Sequence, residues 1–541
     1  MKKIHTAAVT GLLTFTAAVS MAQEPVGDEQ SLLELRNTVV NILQSLVQRG
    51  VLTQEDAQAL VVDAQQRAET EVAALRANEA DEQDAVRVTY VPEIVKEEIQ
   101  AAVRADVQEG VVEDVVARAR SEGWGVPGAL PNWVRNVDID TRLRVRAQGD
   151  YFDELNAQYP DWNAVNAAGG VERAGVDAWL NTTEDRSRLR ARLRVDLAAH
   201  VTPNVTAKLG FSTGNMSDPI SMNETLASYG RRMNFSVQNA SIDWALRNER
   251  ATRGFDLDAG RFDNPFLTTS LVFDEDLSFE GVAGKVAFDV MNRDAEGLQP
   301  GVSLLLGAFP LEEVERASDD KWLYAGQIGI EAPIGARNAV RFGAAYYGFR
   351  NIVGLRNAFT SELNDYTAPA LFGRGNTVFD IRNDGDTTTN LYALAADFEL
   401  ASFTTQLDFG VFGDNRLQIT ADYVENRGFD QLEVEERAER VVEPRTKGRQ
   451  LELSIGRREP HEPGDWRVFA AYRYLERDAV LDAFTDSDFG LGGTDTEGYI
   501  VGFDIGVTHN AWVTTKVLSS NEIDGPPLSI DVLQLDLNTR F

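Results

Sequence analysis

From Val137 onward, apolar and polar residues alternate with a period of two. Val137, Ile139, Thr141, Leu143, Val145 and Ala147 are interleaved with Asp138, Asp140, Arg142, Arg144, Arg146 and Gln148. Leu189, Ala191, Leu193, Val195, Leu197 and Ala199 alternate in the same way with Arg188, Arg190, Arg192, Arg194 and Asp196. On a helix, residues two apart are turned by about 200°, which would scatter these arginines around the cylinder. On a strand they share one face. Each run is also long enough to cross a bilayer as a tilted strand of about 9–11 residues. Similar runs fall at 205–211, 235–246, 255–262, 277–290, 301–309, 321–331 and 339–350, then near 401–412, 416–424, 449–457, 466–475, 498–508, 511–519 and 531–541.

The connections follow a rule of their own. Thr202-Pro203-Asn204, Gly413-Asp414-Asn415 and Thr508-His509-Asn510 are tight, whereas 150–185, 351–388, 425–447 and 476–497 are long and rich in Gly, Asp and Asn. Short turns at one end and long loops at the other mark a transmembrane barrel. The expected fold is an all-β antiparallel transmembrane barrel of about 16 strands. The even number places both barrel ends on the periplasmic side, and 389–412 is where two strands could be merged into one. In the final run, Leu533, Leu535, Leu537 and the terminal Phe541 share a face. That strand is expected to close the barrel against the first one, leaving no unpaired edge in lipid, with Phe541 at the membrane–water interface.

Before Trp133 the period is helical. Leu32, Leu35, Val39, Ile42/Leu43 and Leu46 lie three and four apart, and Thr53 and Asp56 have capping-box spacing ahead of a second amphipathic run. A thinner stripe, Val95 to Val115, suits either a coiled coil between subunits or a helix packed on its own chain. At the start, Lys2 and Lys3, an apolar stretch and Ser20-Met21-Ala22 read as a signal peptide cut after Ala22. The expected organisation is therefore a signal peptide at 1–22, a helical periplasmic region at 23–121, a Gly/Pro-rich linker at 122–134, and a barrel at 135–541.

Composition narrows the chemistry. A net charge of −33 argues against nucleic-acid binding. The absence of cysteine removes disulfides, thiolate chemistry and Cys-ligated metals. The four histidines, at 5, 200, 461 and 509, do not cluster, and Gly-x-Ser-x-Gly is missing, so neither an enzyme nor a cofactor or metal site is expected.

Several longer motifs carry a resemblance. They include Arg87-Val88-Thr89-Tyr90-Val91-Pro92-Glu93-Ile94-Val95-Lys96, and Gly123-Trp124 with Leu130-Pro131-Asn132-Trp133. They continue in Asn264-Pro265-Phe266, in Phe273-Asp274-Glu275-Asp276-Leu277 followed by Glu280-Gly281-Val282, and in Tyr472 to Val480 followed by Asp482 to Phe489. In these the chain resembles the putative-porin family of Gram-negative bacteria. The resemblance implies a barrel that lets small hydrophilic solutes or ions through the outer membrane, and it specifies no substrate. The partners expected on this reading are outer-membrane lipid, the barrel-assembly machinery and two further copies in a homotrimer.

A pore breaks no bonds, so its working residues are charges along the lumen. Arginine at mid-bilayer on a barrel's lipid face costs roughly 2–4 kcal/mol, so Arg142, Arg144, Arg146, Arg188, Arg190, Arg192 and Arg194 should face inward as one basic wall. The loop at 263–276, with Asp263, Asp274, Glu275 and Asp276, is the expected acidic counterpart, folded into the channel. Two plainer alternatives stand beside this eyelet: a structural salt-bridge network for the arginines, and a solvated or cation-coordinating external loop for Asp274–Asp276. A channel preferring phosphate-like anions is a variant. A separate function, tethering the envelope through peptidoglycan contact by the helical region, is the runner-up.

Overall fold

The computed structural model describes residues 136–247, 254–289, 300–315, 319–335 and 337–541. The signal peptide, the helical region and the linker, and with them the tether reading, lie outside the described residues.

Sixteen antiparallel strands form a closed barrel. The first eight are β1 Val137–Phe152, β2 Arg186–Thr202, β3 Val205–Thr213, β4 Phe235–Arg247, β5 Gly254–Asp263, β6 Ser278–Asp289, β7 Gly301–Glu312 and β8 Lys321–Ile334. The rest are β9 Asn338–Arg350, β10 Glu399–Gly410, β11 Arg416–Asn426, β12 Lys447–Gly456, β13 Trp466–Leu475, β14 Thr496–Thr508, β15 Ala511–Glu522 and β16 Ser529–Arg540. Each pairs with the next, and β16 returns to β1. In the closing register Leu533 faces Gly149, Leu535 faces Ala147 and Leu537 faces Val145. Phe541 and Thr141 exchange both backbone hydrogen bonds, at 2.8 and 2.9 Å. Closure leaves no row of unpaired amides, the one sheet arrangement lipid tolerates.

The ambiguous stretch at 389–412 resolves into two unequal parts. Tyr392–Leu394 pairs with Val378–Asp380 as a small hairpin inside a loop, and only Glu399–Gly410 spans.

The alternation sorts the two faces. Leu143, Val145, Leu189, Leu304, Leu306, Ile328, Leu451, Val501 and Leu535 all lie exposed on the outside. So wide an apolar belt is untenable in water and is what hydrocarbon requires. Tyr151, Tyr324, Tyr346, Tyr423 and Tyr499 ring the end that carries the long loops, and Trp244, Phe288 and Phe412 lie toward the other end. Amphipathic rings are favoured at both membrane interfaces.

The inner face is not uniformly polar. Phe262, Phe279, Leu305, Phe309, Leu323, Tyr347 and Phe349 point inward from β5–β9 and are buried. They pack against Phe266, Leu271, Val272 and Phe273 of the β5–β6 loop, Phe372, Phe379 and Ile381 of the β9–β10 loop, and Val480 and Leu481 of the β13–β14 loop. Long loops thus fold back into the barrel as an apolar plug on one side. The plug is pinned by buried carboxylates. Asp478 accepts the backbone N–H and the hydroxyl of Thr377 at 2.8 and 2.7 Å. Asp482 accepts backbone N–H groups of Gly373 and Asn376 at 3.0 and 3.2 Å. Gly373 is needed at this seam, because a Cβ there would lie 2.2 Å from the Asp482 carbonyl oxygen.

Candidate functional site

The other half of the barrel interior is charged. The β1–β2 register sets Arg142 opposite Arg194, Arg144 opposite Arg192 and Arg146 opposite Arg190, with Arg188 opposite Gln148. Like charges directly opposite one another repel, so the ladder stands only with carboxylates woven into it. Arg142 meets Asp140 at 2.8 Å. Arg194 meets Asp196 at 2.7 Å and Asp263 at 2.6 Å. Arg188 pairs with Asp150. Arg146, 1% exposed, makes a two-pronged contact with Asp536 across the closing seam, Nε–Oδ1 2.8 Å and Nη2–Oδ2 2.9 Å. Its Nη1 reaches Asp488 of the β13–β14 loop at 2.7 Å.

Two arginines are served differently. Arg144 donates to the Asn223 side-chain oxygen at 2.7 Å, and no carboxylate among the described residues pairs with it. Arg190 makes only long bonds of 3.4 Å to Gln148 and Ser221, with Asp488 at 4.0 Å.

The β5–β6 loop meets this wall directly. Asp276 is 2.9 Å from Arg192, and Glu275 is 3.8 Å from the same nitrogen. The acids therefore touch the basic wall and do not face it across a gap. Their roles diverge. Asp274, buried, accepts backbone N–H groups of Asp276 and Ser487 at 2.8 and 2.9 Å and ties two loops together. Burial raises its carboxyl, and the charges of Asp486 and Asp276 add to that. Asp276 accepts the Met222 N–H at 3.2 Å. The Glu275 side chain is 78% exposed into the lumen. Desolvation by the barrel acts to raise its carboxyl, but Arg192, Arg144 and Lys516 outweigh it and keep the group ionised. At Asp488, too, burial is overcome, by Arg146 and Lys516, and the carboxyl lies well below its usual range.

Below the loops lies a cavity of about 630 Å³. Arg144, Asn223, Glu275 and Lys516 bound it on the ladder side, the Asp504–Arg467 pair bounds it from β14 and β13 next to the Lys516 strand, and Glu452 and Asp408 bound it further round the wall. Asp488, Asp536, Asp150, Asn223 and Lys516 were not singled out by the sequence pattern as part of the ladder. Parity could have supplied Asp150, Asp536 and Lys516, which fall on inward positions of their strands. Asp488 and Asn223 sit in loops and carry no such signal. Among the described residues no group of three or more His, Cys, Asp or Glu could hold a metal.

Solved outer-membrane proteins share the outline of the barrel at low identity. A Pseudomonas putida OprB structure is 11% identical, covering 77% of this chain and 97% of that one, with a TM-score of 0.43. A loop L8 deletion mutant of OmpT, an outer membrane protein of Vibrio cholerae, is 13% identical, covering 75% and 100%, with a TM-score of 0.39. The outer membrane channel DcaP of Acinetobacter baumannii is 12% identical, covering 75% and 98%, with a TM-score of 0.38. No curated protein matches the chain. The model of one family, described as putative porin, matches residues 36–541 and so takes in every strand of the barrel. With a closed barrel, an apolar belt, two aromatic rings and a charged interior, the chain belongs to the putative-porin family and is a channel protein of the outer membrane.

Proposed function

We propose that this porin passes small hydrophilic solutes or ions along a narrow route beside the β1–β2 arginine ladder, past Glu275. The observation that carries the proposal is the juxtaposition of an exposed, ionised Glu275 with Arg144 and Arg192, beside the apolar plug that the loops pack against β5–β9. Charges of both signs held in a confined lumen orient dipolar solutes and set a weak ion preference. Most of the ladder is neutralised by contact acids, so the structural-network role and the pore role coexist in the same residues.

Reversal potentials in planar bilayers under a KCl gradient test this. Glu275→Gln should move selectivity toward anions, and Arg190, Arg192 and Arg194 replaced together by Ala should move it toward cations. Unchanged potentials in both variants refute the route. The homotrimer is part of the same proposal, and single channels should then close in three equal steps. The periplasmic placing of 23–121 is also a proposal, tested by protease access from each side of the membrane.

A further inference from the structure

The ladder has spare donors at one place. The cations in contact around the loop junction are Arg144, Arg146, Arg188, Arg190, Arg192 and Lys516, and the acids they meet are Asp150, Glu275, Asp276, Asp488 and Asp536. By these contacts one cation is left over, in a cavity where carboxylates otherwise outnumber cations. It falls to Arg144 and Arg190, the two arginines without a close carboxylate. Arg144 spends one hydrogen bond, on Asn223, and its Nε is buried without a partner. The Arg190 Nε is likewise buried and unpartnered. A guanidinium carries five N–H groups in a planar fork, and leaving them unmet in a confined site is costly.

The side chains that hydrogen-bond these two arginines, Asn223, Gln148 and Ser221, are uncharged. Asn223 Nδ2 donates to Ser221 Oγ at 3.3 Å, so the 221–223 segment links the two arginines through short polar side chains. Arg144 and Asn223 both border the cavity, as does Lys516 from β15. Gln534, on the closing strand between Lys516 and Gln148, is fully buried with both amide atoms unpartnered. Arg144 and Lys516 line the passage, and the unmet donor of Arg190 and the unpartnered amide of Gln534 are buried in the wall beside them. Planar forks suit planar or tetrahedral oxyanions better than a spherical ion.

We propose that Arg144 and Arg190 form a binding step for a small monoanionic oxyanion, a carboxylate or a protonated phosphate, carried through the barrel. This rests on the passage described above and gives it a substrate class. No covalent step is involved. The solute replaces water on the guanidinium groups and leaves down its gradient.

The test uses the full-length protein in two settings. In planar bilayers, chloride conductance is followed while acetate, or inorganic phosphate at acid pH, is added at constant ionic strength. A saturable block by either anion is expected, and the blocking anion identifies the ligand. Arg144→Gln should raise the half-blocking concentration roughly tenfold or more, the loss expected for a hydrogen bond to a charged group. Gln534→Leu, which removes no charge, should raise it less. Titration calorimetry of the detergent-solubilised protein with the same anions reads the site without relying on conduction. A channel that conducts chloride yet shows neither block nor heat with either anion overturns the oxyanion step and leaves the porin reading standing. Heat of binding without any conductance overturns the porin reading and leaves the site. Equal block in wild type and Arg144→Gln also overturns the assignment.

Discussion

Arg146→Ala removes the cation that joins the first and last strands. Arg146 and Asp536 are register partners across the closing seam, and the arginine is held between Asp536 and Asp488 with almost no exposure. Alanine leaves Asp536, itself 4% exposed, without a counter-charge. Removing one partner of a buried pair costs about 3–5 kcal/mol, because the remaining charge stays desolvated. That is roughly two to three and a half orders of magnitude in the ratio of folded to unfolded barrel. Arg142→Ala is the internal control. The Arg142 side chain is 48% exposed and pairs with Asp140, so its loss should cost about 0–1 kcal/mol. A double replacement, Arg146→Met with Asp536→Leu, removes both charges and should recover most of the loss, since apolar substitutes for a buried pair are often neutral or better. Equilibrium urea unfolding in liposomes, read by tryptophan fluorescence and by heat-modifiable gel mobility, measures all three. If Arg146→Ala lies within about 1 kcal/mol of Arg142→Ala, the seam is held by its backbone ladder and not by this charge.

Other perturbations address the belt and the plug. Leu535→Arg puts a cation on the lipid face midway along β16 and should cost about 2–4 kcal/mol, seen as a lower folding yield into liposomes. Gly373→Ala places a Cβ 2.2 Å from the Asp482 carbonyl oxygen, so the β9–β10 and β13–β14 loops must part. Single-channel conductance should rise or become noisier, with the thermal stability of the barrel nearly unchanged. Burial raises Asp478 and Asp482 from the ordinary 3.8 to about 6. Between those values the packed loops bind protons that released loops would not. Packing is therefore firmest in acid and weakens as the pH rises through about 6. Protease cleavage within 351–398 should be faster at about pH 7.5 than at about pH 5, and the reverse order would contradict the linkage.

The spanning strands were legible because lipid imposes a constraint that repeats. Every second residue of each run must be apolar, whatever the other face does, so the sixteen runs read from alternation coincide with the sixteen spans. The difficulty at 389–412 came from a loop hairpin that uses the same β-forming residues without spanning. The plug was harder. Phe372, Phe379, Ile381, Val480 and Leu481 are scattered through stretches that read as polar loops, and they find partners only once the barrel wall exists. One signal was nonetheless present. In 301–309, Leu304, Leu305 and Leu306 are consecutive, which breaks the period of two. An uninterrupted apolar run means a strand covered on both faces, and Leu305 and Phe309 are indeed buried inward while Leu304 and Leu306 face out.

The charged site divides along the same line. Alternation alone was enough to put seven arginines on one face, because the lipid face excludes them. Their partners are long-range: Asp488 is 342 residues from Arg146, and Asp536 is 390. No local pattern reaches that far. Electrostatics does say that so dense a ladder needs acids, but not whether they stand across a gap or in contact. The structure puts most of them in contact, and this changes what the ladder can do. A fully bared basic wall would attract anions along its whole length. On the proposed route, a wall left without close carboxylates only at Arg144 and Arg190 confines that attraction to one step, with Glu275 beside it drawing on Arg192 and Arg144. Selectivity on that proposed route is decided by the few charges left without partners, and their number follows from the pairing and not from the count of arginines.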